Sequence, residues 1–290
     1  MSLRLFLLCY NDRSEHVARH EYPEYEAWSR VVRLNRHYLM ENSIFYDPEH
    51  ESQFPEEGYV GFLSWRAREK LRHLPSLRLV TEKILVNPSS APDVLYFSNA
   101  SVGPGRSVVE SACACHPRFL ELWIALITSL GYAPQDSIRR DIPFMAFNYW
   151  IASAAWARRY RDCLRRAVQI LSSWGPRSYL GRLLHSDSTY NGRLTREEKI
   201  QLFDAPHYKY HPFLLERLPG FFFFMEGASV VGLGDTTTIL QRYVPEFHAA
   251  SYLSRYADLR QHGIHQHAAA ARHFIQFGYD EGRDCKKEER

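Results

Sequence analysis

Within Tyr210–Phe224, "YHPFLLERLPGFFFF", a carboxylate and a guanidinium, Glu216 and Arg217, stand side by side in an otherwise apolar segment. Charged groups taken out of water cost several kcal/mol unless they are paired or have a task, so the two are either an ion-pair anchor for a helix or part of a site. A second set of residues falls at the ends of expected strands: Tyr10 and Asn11, then Ser64 and Arg66, then Ser98 and Asn99. In an open α/β sheet, ligands bind outside the carboxyl ends of the strands. An aromatic ring to stack on a base, amides to read its edge and an arginine to neutralise phosphate together suit a nucleotide diphosphate. Ordinary capping and turn roles are the rival for any one of these positions. His116, ahead of a strong helical pattern, is either a ligand for phosphate or substrate or a plain His-Pro helix start. Asn148 and Tyr149, with Trp150, are either a sugar platform or core. "CACH" (113–116) offers Cys113, Cys115 and His116 as soft ligands, but no second cluster completes a tetrahedral metal site, so a loop containing thiols is the expectation.

The elements that must position these residues alternate between strand and helix. "LRLFLLCYN" has the continuous apolar run of a strand buried on both faces of a parallel sheet. A helix is expected over "EYEAWSRVVRLNRHYLM", a second strand at "GYVGFLSW" (58–65), and a helix at "RAREKLRHL". A third strand follows at "SLRLVTEKILV" or at "DVLYFSN". Phe119, Leu122, Trp123, Leu126, Ile127 and Leu130 recur at helical spacing, with Gly131 as C-cap. The next helix, about Ala152 to Ser172, puts Trp156, Tyr160, Cys163, Leu164, Ala167, Val168 and Leu171 on one face. Arg158, Arg159, Arg161, Arg165 and Arg166 lie on the other, which suits anionic lipid or an acidic polymer but is more commonly a solvated face. This alternation predicts an α/β domain with a mainly parallel sheet.

The chain of 290 residues is long enough for a full core. Hydrophobic residues at 45% and charged residues at 24% are those of a soluble globular protein. A formal charge of +3, from 36 basic and 33 acidic residues, argues against a nucleic-acid binder. Five cysteines without framework spacing favour a reducing compartment, and no stretch approaches the ~20 apolar residues of a membrane span, so a cytoplasmic location is expected. There is no GxGxxG after a strand, no Walker loop, no GxSxG and no HExxH. "VGLGD" (231–235) reads as a turn with Asp235 capping the next helix rather than as a phosphate cradle.

Several segments, in order, resemble a group of sugar-nucleotide-dependent glycosyltransferases of bacterial polysaccharide clusters and large DNA viruses. They are "YVGFLSWRAREK" (59–70), "FNYWIASAAWARRYRDCLRRAVQIL" (147–171) and "HPFLLERLPGFFF" (211–223). "YLSRYADLRQHGIHQHAAAARHFIQFGYDEGR" (252–283) is similar to a YxDLxxxG…HFxxxGxxEGR helical unit appended to cell-surface polysaccharide glycosyltransferases. Together they cover about a third of the chain. The resemblance implies a GT-A-like, Rossmann-type domain over residues 1–245 and a small helical appendage over 246–290, docked on that domain or on a partner.

It also implies a UDP- or GDP-type donor at the strand ends, a glycan acceptor in surface polysaccharide or glycoprotein glycan synthesis, and a carboxylate general base for an inverting transfer. Glu216 in "ERL" is the candidate base, with Asp141, Asp187 and Asp204 as alternatives. His116, Asn148, Tyr149 and Arg217 are candidates for the acceptor. The chain departs from the common GT-A pattern because no Asp-x-Asp occurs. Asp93 falls where a donor or metal-site acid might stand, with Asp47 and Glu49 poorer candidates for Mn²⁺ or Mg²⁺; otherwise Arg66 and Lys70 must meet the diphosphate charge. The competing reading is a non-catalytic scaffold or glycan-binding module of a polysaccharide assembly complex.

Overall fold

The computed structural model describes residues 2–20, 22, 29–34, 37–67, 75–86, 90–97, 107–145, 148–190 and 194–287. It is an α/β structure around a six-stranded sheet of order β2-β1-β3-β5-β4-β6. The strands are β1 (Leu3–Cys9), β2 (Ser29–Arg33), β3 (Tyr59–Ser64), β4 (Val94–Tyr96), β5 (Trp150–Ser153) and β6 (Val230–Gly232). β1 pairs in parallel with β2 and β3, and β4 in parallel with β6, while β5 runs antiparallel to both β3 and β4. Five strands therefore point one way and β5 the other. The residues that precede β5 consequently lie at the same edge of the sheet as the carboxyl ends of β1, β3 and β4.

Successive side chains of a strand face opposite sides, so each strand feeds two cores. Phe6, Leu8, Val60, Phe62, Val94, Trp150 and Ala152 pack on one face beneath the helices α4 (Val108–Cys115), α5 (Phe119–Leu130), α6 (Ala154–Ser173) and α9 (His211–Met225). Leu5, Leu7, Leu63, Leu95, Tyr149, Ile151 and Val231 pack on the other. There they meet Ala18 of α1 (Asp12–His20), the short turn α3 (Leu77–Leu79) and Ile239 and Leu240 of α10 (Thr236–Tyr243). Burial on both faces is why β1 is apolar almost throughout.

Several expectations hold as local physics dictates. β1 and β3 form where apolar runs end in polar residues, and α5 ends at Gly131 with φ 102°, the left-handed C-cap that glycine tolerates. Asp235 caps α10, its carboxylate accepting from the Thr238 N–H at 3.1 Å. Others are overturned. "SRVVR" is the edge strand β2, not part of a helix, because its valines pair alongside β1. "LRLVTEKI" is helical, with Ser76 accepting from the Leu79 N–H, which leaves "VLY" as the strand. Trp150 to Ser153 form β5 before α6 begins at Ala154, so Trp150 is core rather than a sugar platform. The helix expected at "RAREKLRHL" lies, from residue 68 on, outside the described residues.

The arginine face of α6 is tied to the protein itself. Arg158 donates to the Glu56 carbonyl at 2.9 Å, Arg159 pairs with Glu226 at 2.7 Å, and Arg161 and Arg165 both pair with Glu51. The C-terminal segment forms three short helices, α11 (Ala249–Arg255), α12 (Ala257–Gln261) and α13 (His267–His273), and then a π-helical turn Phe274–Gly278. Tyr252, Leu259, Ala270, Phe274 and Ile275 share the core of the second sheet face, and the Ser76 N–H donates to the Ile275 carbonyl at 3.0 Å. The segment thus packs on the α/β unit.

Candidate functional site

The carboxyl edge gathers residues from distant parts of the chain. Tyr10 follows β1, Ser64 closes β3 with Arg66 two residues on, and Asn148 and Tyr149 lead into β5. The hydroxyls of Ser64 and Tyr149 are hydrogen-bonded to each other. Over this edge lies α9, which presents Glu216 and Arg217. These two form an ion pair, with Arg217 Nη1 donating to Glu216 Oε2 at 2.7 Å, and their side chains are 18% and 10% exposed respectively. Arg217 Nη1 also donates to the Phe213 carbonyl at 3.0 Å, while its buried Nε has no partner among the described residues.

The tyrosine hydroxyls report what surrounds them. Burial first, then the charge and hydrogen bond of Glu41, push Tyr10 well above its ordinary pKa, and Glu216 acts in the same direction. Tyr149 is also raised, chiefly by burial and then by Glu41; Glu216 adds to this, while Ser64 and Arg66 oppose it. Two carboxylates therefore bear on the same pair of tyrosines. Glu41 is buried, in the 3₁₀ segment His37–Asn42, and the sequence reasoning missed it. The available signal was an acid in the apolar stretch "YLMENSIFY", the same signal that picked out Glu216.

Backbone strain and unmet polar groups cluster here as well. Met40, just before Glu41, has φ 49° and ψ −135°. Asn148 has φ 58°, is 1% exposed, and among the described residues its buried Oδ1 has no hydrogen-bond partner. A buried carbonyl oxygen left unpaired costs ~1–3 kcal/mol and, next to strained backbone, points to a ligand position.

His116 stands at the end of α4, stacked on Phe213 with ring centroids 4.1 Å apart. Its Nδ1 is 3.1 Å from the Ser188 carbonyl, which can only accept, so Nδ1 carries the proton and Nε2 is left as an acceptor. Burial holds its pKa below the ordinary value, keeping the ring neutral, and both Arg217 and Glu216 act on it electrostatically.

Of the expected site residues, Tyr10, Ser64, Arg66, Asn148, Tyr149, Glu216, Arg217 and His116 come to this region. Asn11 is at the edge but caps α1, its Oδ1 accepting from the Ser14 N–H at 2.9 Å. Asp93 is at the opposite edge, ahead of β4, where its Oδ2 accepts from the Ser229 N–H and hydroxyl, both at 2.8 Å. It is a clasp between β4 and β6, not a donor ligand. Asp141 pairs with Arg139, Asp187 accepts from the Thr189 N–H, and Asp204 is the left-handed C-cap of α8 (Arg196–Phe203), so none of the alternative bases joins the cluster. Ser98, Asn99 and Lys70 lie outside the described residues. Cys113 and Cys115 sit exposed on α4, and among the described residues no three His, Cys, Asp or Glu side chains come together as metal ligands. Nor, among those residues, is any helix long and apolar enough to cross a membrane.

The chain matches no family model, no curated protein and no solved structure.

Proposed function

We propose that this α/β protein is a glycosyltransferase of GT-A-like fold, moving a sugar from a UDP- or GDP-type donor to a glycan hydroxyl in surface polysaccharide or glycoprotein glycan synthesis. The observation that carries this reading is the meeting of Glu41 and Glu216 with Tyr10, Tyr149, Arg66 and Arg217 at the carboxyl edge of the sheet. The ordered resemblance of the sequence segments adds to it.

In this reading Arg66 and Arg217 neutralise the charge that develops on the leaving diphosphate, as preorganised cations do in a site of low dielectric. The Asn148 amide oxygen, which has no partner among the described residues, accepts from a hydroxyl or N–H of the donor. A carboxylate takes the proton of the acceptor hydroxyl, whose oxygen attacks the anomeric carbon opposite the leaving phosphate. The bond to phosphate breaks with its electron pair, and the configuration inverts.

The test is thermal melting of the protein against UDP, GDP and their sugars, with Mn²⁺ or with EDTA. A ligand present at a hundred times its Kd stabilises by about 2.7 kcal/mol, which a melting curve resolves. A rise with one base and sugar supports the proposal, and its survival in EDTA assigns the diphosphate to the arginines. No shift with any donor refutes it.

A further inference from the structure

The site holds two carboxylates, and their surroundings differ in a way that separates their roles. Glu216 already accepts from Arg217 at 2.7 Å and is part of an ion pair that α9 carries into the site. Glu41 is 8% exposed, and among the described residues no basic side chain pairs with it, while its charge acts on Tyr10 and Tyr149. A buried carboxylate is costly unless it is paired or has a task, and no pair is present among the described residues. Its backbone supports the same conclusion, because Met40 immediately before it is held at φ 49°, ψ −135°, a conformation that breaks the 3₁₀ segment and aims the next residue.

Resting on the glycosyl-transfer reading, we propose that Glu41, not Glu216, is the general base, and that the Glu216–Arg217 pair positions the leaving diphosphate. A carboxylate has lone pairs for several partners, so acting on its tyrosine neighbours leaves Glu41 able to accept from the sugar hydroxyl as well. In the transfer the acceptor O–H bond breaks with its proton passing to Glu41. The acceptor oxygen forms the new bond to the anomeric carbon, and the nucleotide diphosphate departs with the electron pair of the old one. No oxidant or further reactant is needed. Tyr149, whose hydroxyl is hydrogen-bonded to that of Ser64, feels Glu41, Glu216 and Arg66 together.

The experiment measures nucleotide diphosphate released from whichever UDP- or GDP-sugar raises the melting temperature, with a panel of p-nitrophenyl glycosides as acceptors. Glu41→Gln is nearly isosteric and is expected to fold, to keep the donor-induced melting shift, and to lose about 10²–10⁴-fold in turnover, the usual contribution of a general base. Glu216→Gln is expected to lose less turnover and to reduce the melting shift. Should Glu41→Gln fail to fold, Glu41→Asp retains the charge while withdrawing it by one methylene. Its expected result is a folded protein with at least ~10²-fold lower turnover. Wild-type turnover in either Glu41 variant overturns the assignment, as does a greater turnover loss in Glu216→Gln with the melting shift intact. A wild type that neither binds nor cleaves any donor overturns the glycosyl-transfer reading itself, an outcome visible before any variant is made.

Discussion

Acid should loosen the helix that carries Glu216, and the largest single share of the effect should trace to one histidine. His211 opens α9, with its ring centroid 5.0 Å from that of His185. Burial above all, then the charges of His185 and Lys209, lower its pKa to about 3. In the unfolded chain a histidine titrates near 6.5. Between these values the unfolded state binds a proton that the folded state refuses, so stability is full above pH 6.5 and falls as pH drops toward 3. For a single such group the linkage integral gives a loss of about 2 kcal/mol between pH 8 and pH 5. His50, His116, His185 and His273 are also held below their ordinary values and add to the total. The double difference isolates His211: urea unfolding of wild type and His211→Gln at both pH values should show the wild type losing about 2 kcal/mol more. Equal losses, to within ~0.5 kcal/mol, would refute the reasoning, whatever the variant's stability at pH 8.

Three further predictions concern the site and its frame. Arg66→Ala should weaken binding of the stabilising nucleotide diphosphate more than tenfold in apparent Kd, read from the concentration dependence of the melting shift. Asp93→Ala should cost about 1–2 kcal/mol in urea unfolding, because the Ser229 N–H and hydroxyl lose their acceptor, and should leave the nucleotide response unchanged; Asp93→Asn should keep most of the stability. Gly220→Ala should cost about 1–3 kcal/mol, since a Cβ there would run into the Pro143 carbonyl oxygen inside the core.

Much of the site was legible because charge in an apolar setting is a local signal. Glu216 and Arg217 stood out for that reason, and Tyr10, Ser64 and Arg66 stood out because apolar strands end at them. Glu41 carried the same signal in a weaker setting and passed unnoticed. Asp93 was misplaced because a residue beside a strand can be at either end of the sheet. Its own strand, β4, begins after it, so it stands with the amino ends.

By itself the sequence determined the alternation of strand and helix, the buried character of β1, the stop at Gly131 and the cap at Asp235, each of which depends on neighbours a few residues away. Only the tertiary structure decided that "SRVVR" is a strand, that β5 runs against the other five, and that Glu41 and Glu216, 175 positions apart, bear on the same two tyrosines. These are pairings across the chain. Their free energy comes from contacts between segments whose separation in sequence carries no information about which of them will meet.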